Sequence, residues 1–138
     1  MEKNTEQSIH AFLEGWEETP ERNREVFVHL REYLRKKEGV TFDFIARPGL
    51  TYSLRAVHSA QKEKGLFVMV DVIEESPRWL SVCFYGEMIT DPEEKGDSVP
   101  GGLLGEDAVC FDLEKWDDEF IRYIEARLDE ACDNAATP

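Results

Sequence analysis

Nowhere does this chain of 138 residues hold an apolar run close to the roughly 20 residues that a membrane-crossing helix requires. Its amino-terminal MEKNTEQSIHAF is polar and acidic and has no apolar core, so no secretory leader is expected and the chain reads as cytoplasmic. Cysteine is scarce: Cys83, Cys110 and Cys132 are an odd number, and no two are close in sequence. That count and spacing argue against a disulfide framework and against CxxC redox or zinc motifs. Cys83 and Cys110 sit in apolar strand patterns and read as small buried hydrophobes, while Cys132, near a helix end, is expected to be partly exposed.

Positive charge is also in short supply. Sixteen Lys and Arg face 30 Asp and Glu, a net charge of −14. The imbalance is concentrated in residues 91–138, which hold 15 acidic and 4 basic residues. A surface of this sign repels phosphate backbones and anionic lipid, so direct nucleic-acid and membrane binding are not expected. Two readings remain: charge serving solubility, and an acidic surface that mimics nucleic acid and binds a basic protein.

The common site motifs are missing too. The acidic stretch DPEEKGDSVPGGLLGEDAVCF invites a calcium-loop reading, because Gly96 falls where the sharp turn belongs. The same alignment puts Lys95 at a ligand position and Gly102 where a bidentate glutamate is needed, so it fails. A phosphate-cradling loop needs Gly-Lys-Ser/Thr leading into a helix, and GGLLGED ends in two carboxylates ahead of a strand pattern. The stretch is left as a long surface connection, or a lid, ahead of a last strand. His10, His29 and His58 stand at no metal-binding spacing, and no metal or cofactor is expected. A set of Cys83, His58 and either Asp71 or Asp43 can be drawn, but nothing in the sequence makes those residues converge. No catalytic residue is assigned.

What is present is a well-patterned fold. With 41% hydrophobic and 11% aromatic residues, the chain can build a core, and its length fits one domain over 1–138 with frayed ends at 1–4 and 133–138. Ile9, Phe12, Leu13 and Trp16 recur at helical spacing over 5–18. Thr19-Pro20-Glu21 reads as the start of a second helix over 20–38, with Val26, Phe27, Leu30, Tyr33 and Leu34 as its apolar stripe. The period then changes to alternation in VTFDFIAR (40–47) and TYSLRAVHS (51–59), followed by the apolar LFVMVDVIE (66–74) and RWLSVCFYGEMI (78–89). AVCFDL (108–113) is a fifth strand candidate, and Trp116, Phe120, Ile121, Ile124 and Leu128 mark a closing helix that starts near Glu114 or Lys115.

Short turns between neighbours imply a meander, so the expected fold is α+β: two helices, an antiparallel sheet of four or five strands, the long acidic loop, and a carboxy-terminal helix. The helices should pack mainly on one sheet face, over Phe42, Phe44, Tyr52, Leu54, Val68, Val70, Val72, Leu80, Val82 and Phe84. GVTFDFIARPGLTYSLRA, LFVMVDV and VCFDLEKWDDEFIRYIEARLDEA, in this order over roughly 25–132, resemble the layout of small bacterial α+β families of the YdhG-like and YjbR-like kind. That resemblance implies a fold and carries no activity.

The other sheet face is the most informative. Alternation places Asp43, Ile45, Arg47, Ser53, Arg55, Val57, Phe67, Met69, Asp71, Ile73, Trp79, Ser81, Cys83 and Tyr85 on it. Large apolar groups mixed with arginines and an aspartate suit a surface that another body covers: the first helix, a second copy in a homodimer, another protein, or a ligand. The expected function is a non-enzymatic binding or interaction module using this face. A small-molecule anion sensor or enzyme is the alternative, with Arg47, Tyr52, Arg55, His58, Asp71, Trp79 and Tyr85 as its candidate binding residues.

Overall fold

A computed structural model describes residues 2–137, with side chains from residue 4. Three helices, α1 (Glu2–Glu14), α2 (Asn23–Arg35) and α3 (Asp118–Ala136), accompany six strands. These are β1 (Val40–Arg47), β2 (Thr51–His58), β3 (Val68–Ile73), β4 (Trp79–Tyr85), β5 (Asp97–Leu103) and β6 (Glu106–Leu113). The sheet is antiparallel in the order β1-β2-β3-β4-β6-β5. The α+β class and the meander of the first four strands match the alternation in the sequence.

The strand count does not match the four or five expected, because the acidic connection hides β5. This segment folds back on β6 through Leu104 and Gly105, whose φ values of 51° and 85° fit a two-residue hairpin turn with both central residues left-handed. β6 therefore lies beside β4, and β5 forms the outer edge. The stretch ahead of β5 is docked, which argues against a free lid. Asp91 accepts from the backbone N–H of Lys95 (3.0 Å) and Gly96 (2.9 Å) and from the Tyr123 hydroxyl on α3.

Helix boundaries shift for identifiable reasons. α1 stops before Gly15, and α2 begins three residues after Pro20, because Arg22 takes a left-handed φ of 65° and Asn23 is engaged elsewhere. The buried Asn23 amide donates to Arg78 O (2.7 Å) and Glu114 O (3.0 Å), tying the head of α2 to the adjoining ends of β4 and β6. Glu18 supplies the cap expected of Thr19, accepting from the N–H of Arg24 (3.2 Å) and Glu25 (3.1 Å). α3 starts at Asp118 because Asp117 caps it, accepting from Phe120 N–H at 3.1 Å. Both terminal helices run further out than expected, to Glu2 and Ala136; Met1 and Pro138 lie outside the described residues.

Register aligns Phe44, Leu54, Val70, Val82 and Phe111 in one apolar row across five strands. Phe12 of α1 packs on Phe44 and Tyr52 from this row's side and on Phe27 of α2. Phe120 and Tyr123 of α3 meet Phe111. The first helix therefore does not lie across the mixed face. Every residue expected on the core face is either buried or packed against the core.

Cys83 and Cys110 are buried as expected, but they are not unbonded hydrophobes. Cys83 on β4 faces Cys110 on β6, with Cα atoms 4.1 Å apart, and the two form a disulfide. Spacing alone could not reveal it, because the pairing exists only once β6 inserts beside β4. Cys132 is buried and free, not partly exposed.

Candidate functional site

The mixed face is organised by register. One row runs Asp43, Arg55, Met69, Cys83, Cys110 and Asp97 across all six strands. The next runs Ile45, Ser53, Asp71, Ser81 and Asp112. Asp71 thus stands near the middle of the face, flanked by Ser53 and Ser81, with the Arg55 and Arg47 charges close enough to act on it. Burial pushes its carboxyl above the usual range; a hydrogen bond with Ser53 and the charges of Arg55 and Arg47 pull the other way without reversing the shift. One of its oxygens, Oδ1, is buried with no hydrogen-bond partner. Arg55 donates through Nε to Ser53 Oγ at 3.3 Å, and Arg47 stands exposed at the end of β1. Among the described residues, neither arginine forms an ion pair.

The structure brings together three of the sequence-named residues, Arg47, Arg55 and Asp71, and separates the rest. Tyr52 belongs to the helix side. Its ring stacks on Phe12 at 4.5 Å, and its hydroxyl donates to Glu74 at 3.1 Å. His58 closes the turn after β2: its Nδ1 accepts from Ala60 N–H (3.0 Å), and its own N–H donates to Gln61 (2.9 Å). With His58 so engaged and Cys83 in a disulfide, the Cys–His–Asp set does not assemble. Trp79 lies one row beyond Asp71, beside Ile73, with its indole N–H on Glu75 at 3.0 Å. Tyr85 has the correct orientation but is buried. Lys64, held by Glu106 (2.6 Å) and Glu87 (3.0 Å), sits 4.4 Å above its ring. Those hydrogen bonds raise the Lys64 amine, and burial raises the Tyr85 phenol.

A second constellation escaped sequence reasoning. The Arg78 guanidinium lies among the rings of Phe12 (5.2 Å), Trp16 (5.5 Å) and Tyr52 (5.0 Å) and forks onto Glu74 at 2.7 and 3.0 Å. The rings come from residues 12–16 and from Tyr52, both distant in sequence from Arg78, so no local motif announces the box. Its cation is the protein's own, and the adjoining groove of about 430 Å³ is lined by Trp16, Glu21, Glu74 and Arg78. Three further grooves, between the 61–64 turn, the 86–90 segment, α3 and the β5–β6 turn, also exclude Arg47, Arg55 and Asp71.

Among the described residues, no three His, Cys, Asp or Glu side chains are placed to hold a metal ion, and no helix is long and apolar enough to cross a membrane. No family model, curated protein or solved structure matches the chain.

Proposed function

We propose that the protein is a non-catalytic interaction module whose docking surface is the mixed sheet face around Arg55 and Asp71. In this reading the helices pack mainly on the opposite face and leave this one to a protein partner. One observation carries it. In a chain with almost two carboxylates for every cation, Arg47 and Arg55 pair with none among the described residues, while Asp71 between them keeps a buried oxygen without a donor. Unpaired buried polar groups are costly, and a partner offering a carboxylate to the half-buried Arg55 and an N–H to Asp71 would satisfy both at once.

Thermal-shift titration with short peptides of acidic, basic and mixed charge tests this. A peptide combining carboxylates with amide donors should raise the melting temperature, and Arg55→Ala or Asp71→Asn should remove the effect. If phosphate or a dicarboxylate alone reproduces the full shift, the face is a small-anion site; if no peptide shifts the wild type, the reading fails.

A further inference from the structure

The outer strand β1 pairs with β2 alone. Its ladder continues one residue further, where Ser59 N–H donates to Gly39 O at 2.9 Å. That bond sets the parity. Residues 39, 41, 43, 45 and 47 turn their backbone groups to β2, so Val40, Phe42, Phe44 and Ala46 turn theirs outward. The outward Phe44 N–H is held by the Asp43 carboxylate next to it, at 3.0 Å. Among the described residues, no other strand pairs with this edge.

The two edges of the sheet are built differently. β5 carries Pro100, two glycines, the acidic Asp97, and a break in register between Val99 and Leu103. Such devices keep an edge from adding strands. β1 keeps unbroken register over its 8 residues and has no proline, glycine or lysine.

We infer that β1 is a self-association edge. Two copies pair their β1 strands antiparallel about a two-fold axis at Ile45, joining two six-stranded sheets into one of twelve. In this register Ile45 meets the partner's Ile45, Phe44 meets the partner's Ala46, and Asp43 meets the partner's Arg47, twice by symmetry. The Asp43 carboxylate then releases Phe44 N–H to the partner's Ala46 carbonyl and takes the guanidinium instead. Alternative registers lose this match. An axis at Phe44 sets Asp43 against the partner's Ile45, and an axis at Asp43 sets two carboxylates face to face. An axis at Ala46 sets Ile45 against the partner's Arg47.

Long-range charge points to the same edge. The acidic β5–β6 hairpin lies four to five strand spacings from β1, roughly 19 to 24 Å, well beyond the screening length of about 8 Å at physiological salt. Pairing through β1 keeps the most acidic strands of the two copies apart; pairing through β5 would press them together.

Light scattering coupled to size exclusion, over a concentration series, tests this with substitutions at Asp43 and Arg47, both exposed side chains. Asp43→Arg and Arg47→Asp should each weaken the dimer about tenfold, and the Asp43→Arg/Arg47→Asp double variant should restore it. Ile45→Lys should leave a monomer, with circular dichroism checking that the fold persists. Arg55→Ala, which addresses the proposed docking face, should leave the dimer intact. A wild type that stays monomeric at the highest concentration overturns the inference, and so does a dimer indifferent to both charge reversals.

Discussion

Cys83 and Cys110 face each other across β4 and β6, 27 residues apart in sequence, and join the two strands by a disulfide on the mixed face. The link spans neighbours that are already hydrogen-bonded, so its main effect is to restrict the unfolded chain, by about 3.5 kcal/mol for a loop of this length. Denaturing alkylation without reductant should label one thiol, Cys132, and label three after reduction. Replacing both Cys83 and Cys110 by Ser should lower denaturant stability by roughly that amount and leave the circular dichroism spectrum unchanged. Three labelled thiols without reductant would mean that the pair is unbonded in solution. The bond sits at odds with the expected cytoplasmic location, since disulfides persist mainly in oxidising compartments.

Asp71 carries a cost that the folded chain alone does not offset. Its carboxyl sits above the ordinary range because of burial. The folded state therefore holds this proton more tightly than the unfolded chain does, and stability falls as pH rises through the ordinary and then the raised value. Above that the penalty is constant. Asp71→Asn should stabilise the free protein by about 1 kcal/mol at neutral pH, a shift of roughly 3 °C. The gain should vanish in acid, where Asp71 is protonated in both states. Calorimetry at neutral and acid pH checks both signs. Unchanged stability at neutral pH would show that water or a local donor already satisfies the carboxylate.

The mixed face is legible in the sequence because a half-buried strand fixes its two faces by alternation, which alone groups Asp43, Arg55, Asp71 and Cys83. The same parity puts Tyr52 and His58 on the other side, and the structure leaves them there. Alternation puts Tyr85 on the correct face, but its cover, Lys64, comes from a turn whose path alternation does not encode. β5 escaped because its exposed DSVPGGL has no buried face to impose a period; only the left-handed Leu104 and Gly105 betray the hairpin. The disulfide followed β5 out of sight, since Cys110 meets Cys83 only in the final strand order. α2 starts later than Thr19-Pro20 predicts because the distant bonds of Asn23 outweigh a good local cap.

Arg78 ties α1, the α1–α2 connection and β2 to the β3–β4 turn through three aromatic rings and a two-pronged contact with Glu74. Its side chain is largely buried, at 18% exposed, so removing it leaves Glu74 and the rings without their shared partner. Arg78→Ala should cost about 3 kcal/mol in urea unfolding. Arg78→Lys should recover only part of that, because an ammonium has neither the plane nor the fork of a guanidinium. Full recovery by lysine would reduce the box to a simple charge contact. Tryptophan fluorescence from Trp16 should change with the alanine variant, because the guanidinium lies 5.5 Å from its ring.

Asp91 anchors the segment before β5, and its titration should be visible in acid. Burial pushes its carboxyl up, but hydrogen bonds from the Tyr123 hydroxyl and from the N–H groups of Gly96 and Lys95 outweigh that and hold it below its ordinary 3.8. A depressed carboxylate stabilises the fold at pH values above its unfolded-state value, and this contribution is lost as pH falls below about 3.8 through the lower folded value. Asp91→Asn keeps the shape but gives up the charge-assisted bonds, so it should cost about 1 kcal/mol at neutral pH and flatten the acid limb of the stability curve. Tyr123→Phe should weaken the neutral-pH fold in the same direction. Hydrogen exchange should then accelerate in 91–103 ahead of the β1–β4 meander, because this anchor joins the β5 edge to α3. Uniform acceleration across the sheet in either variant would show that the anchor supports the whole fold and not the edge hairpin alone.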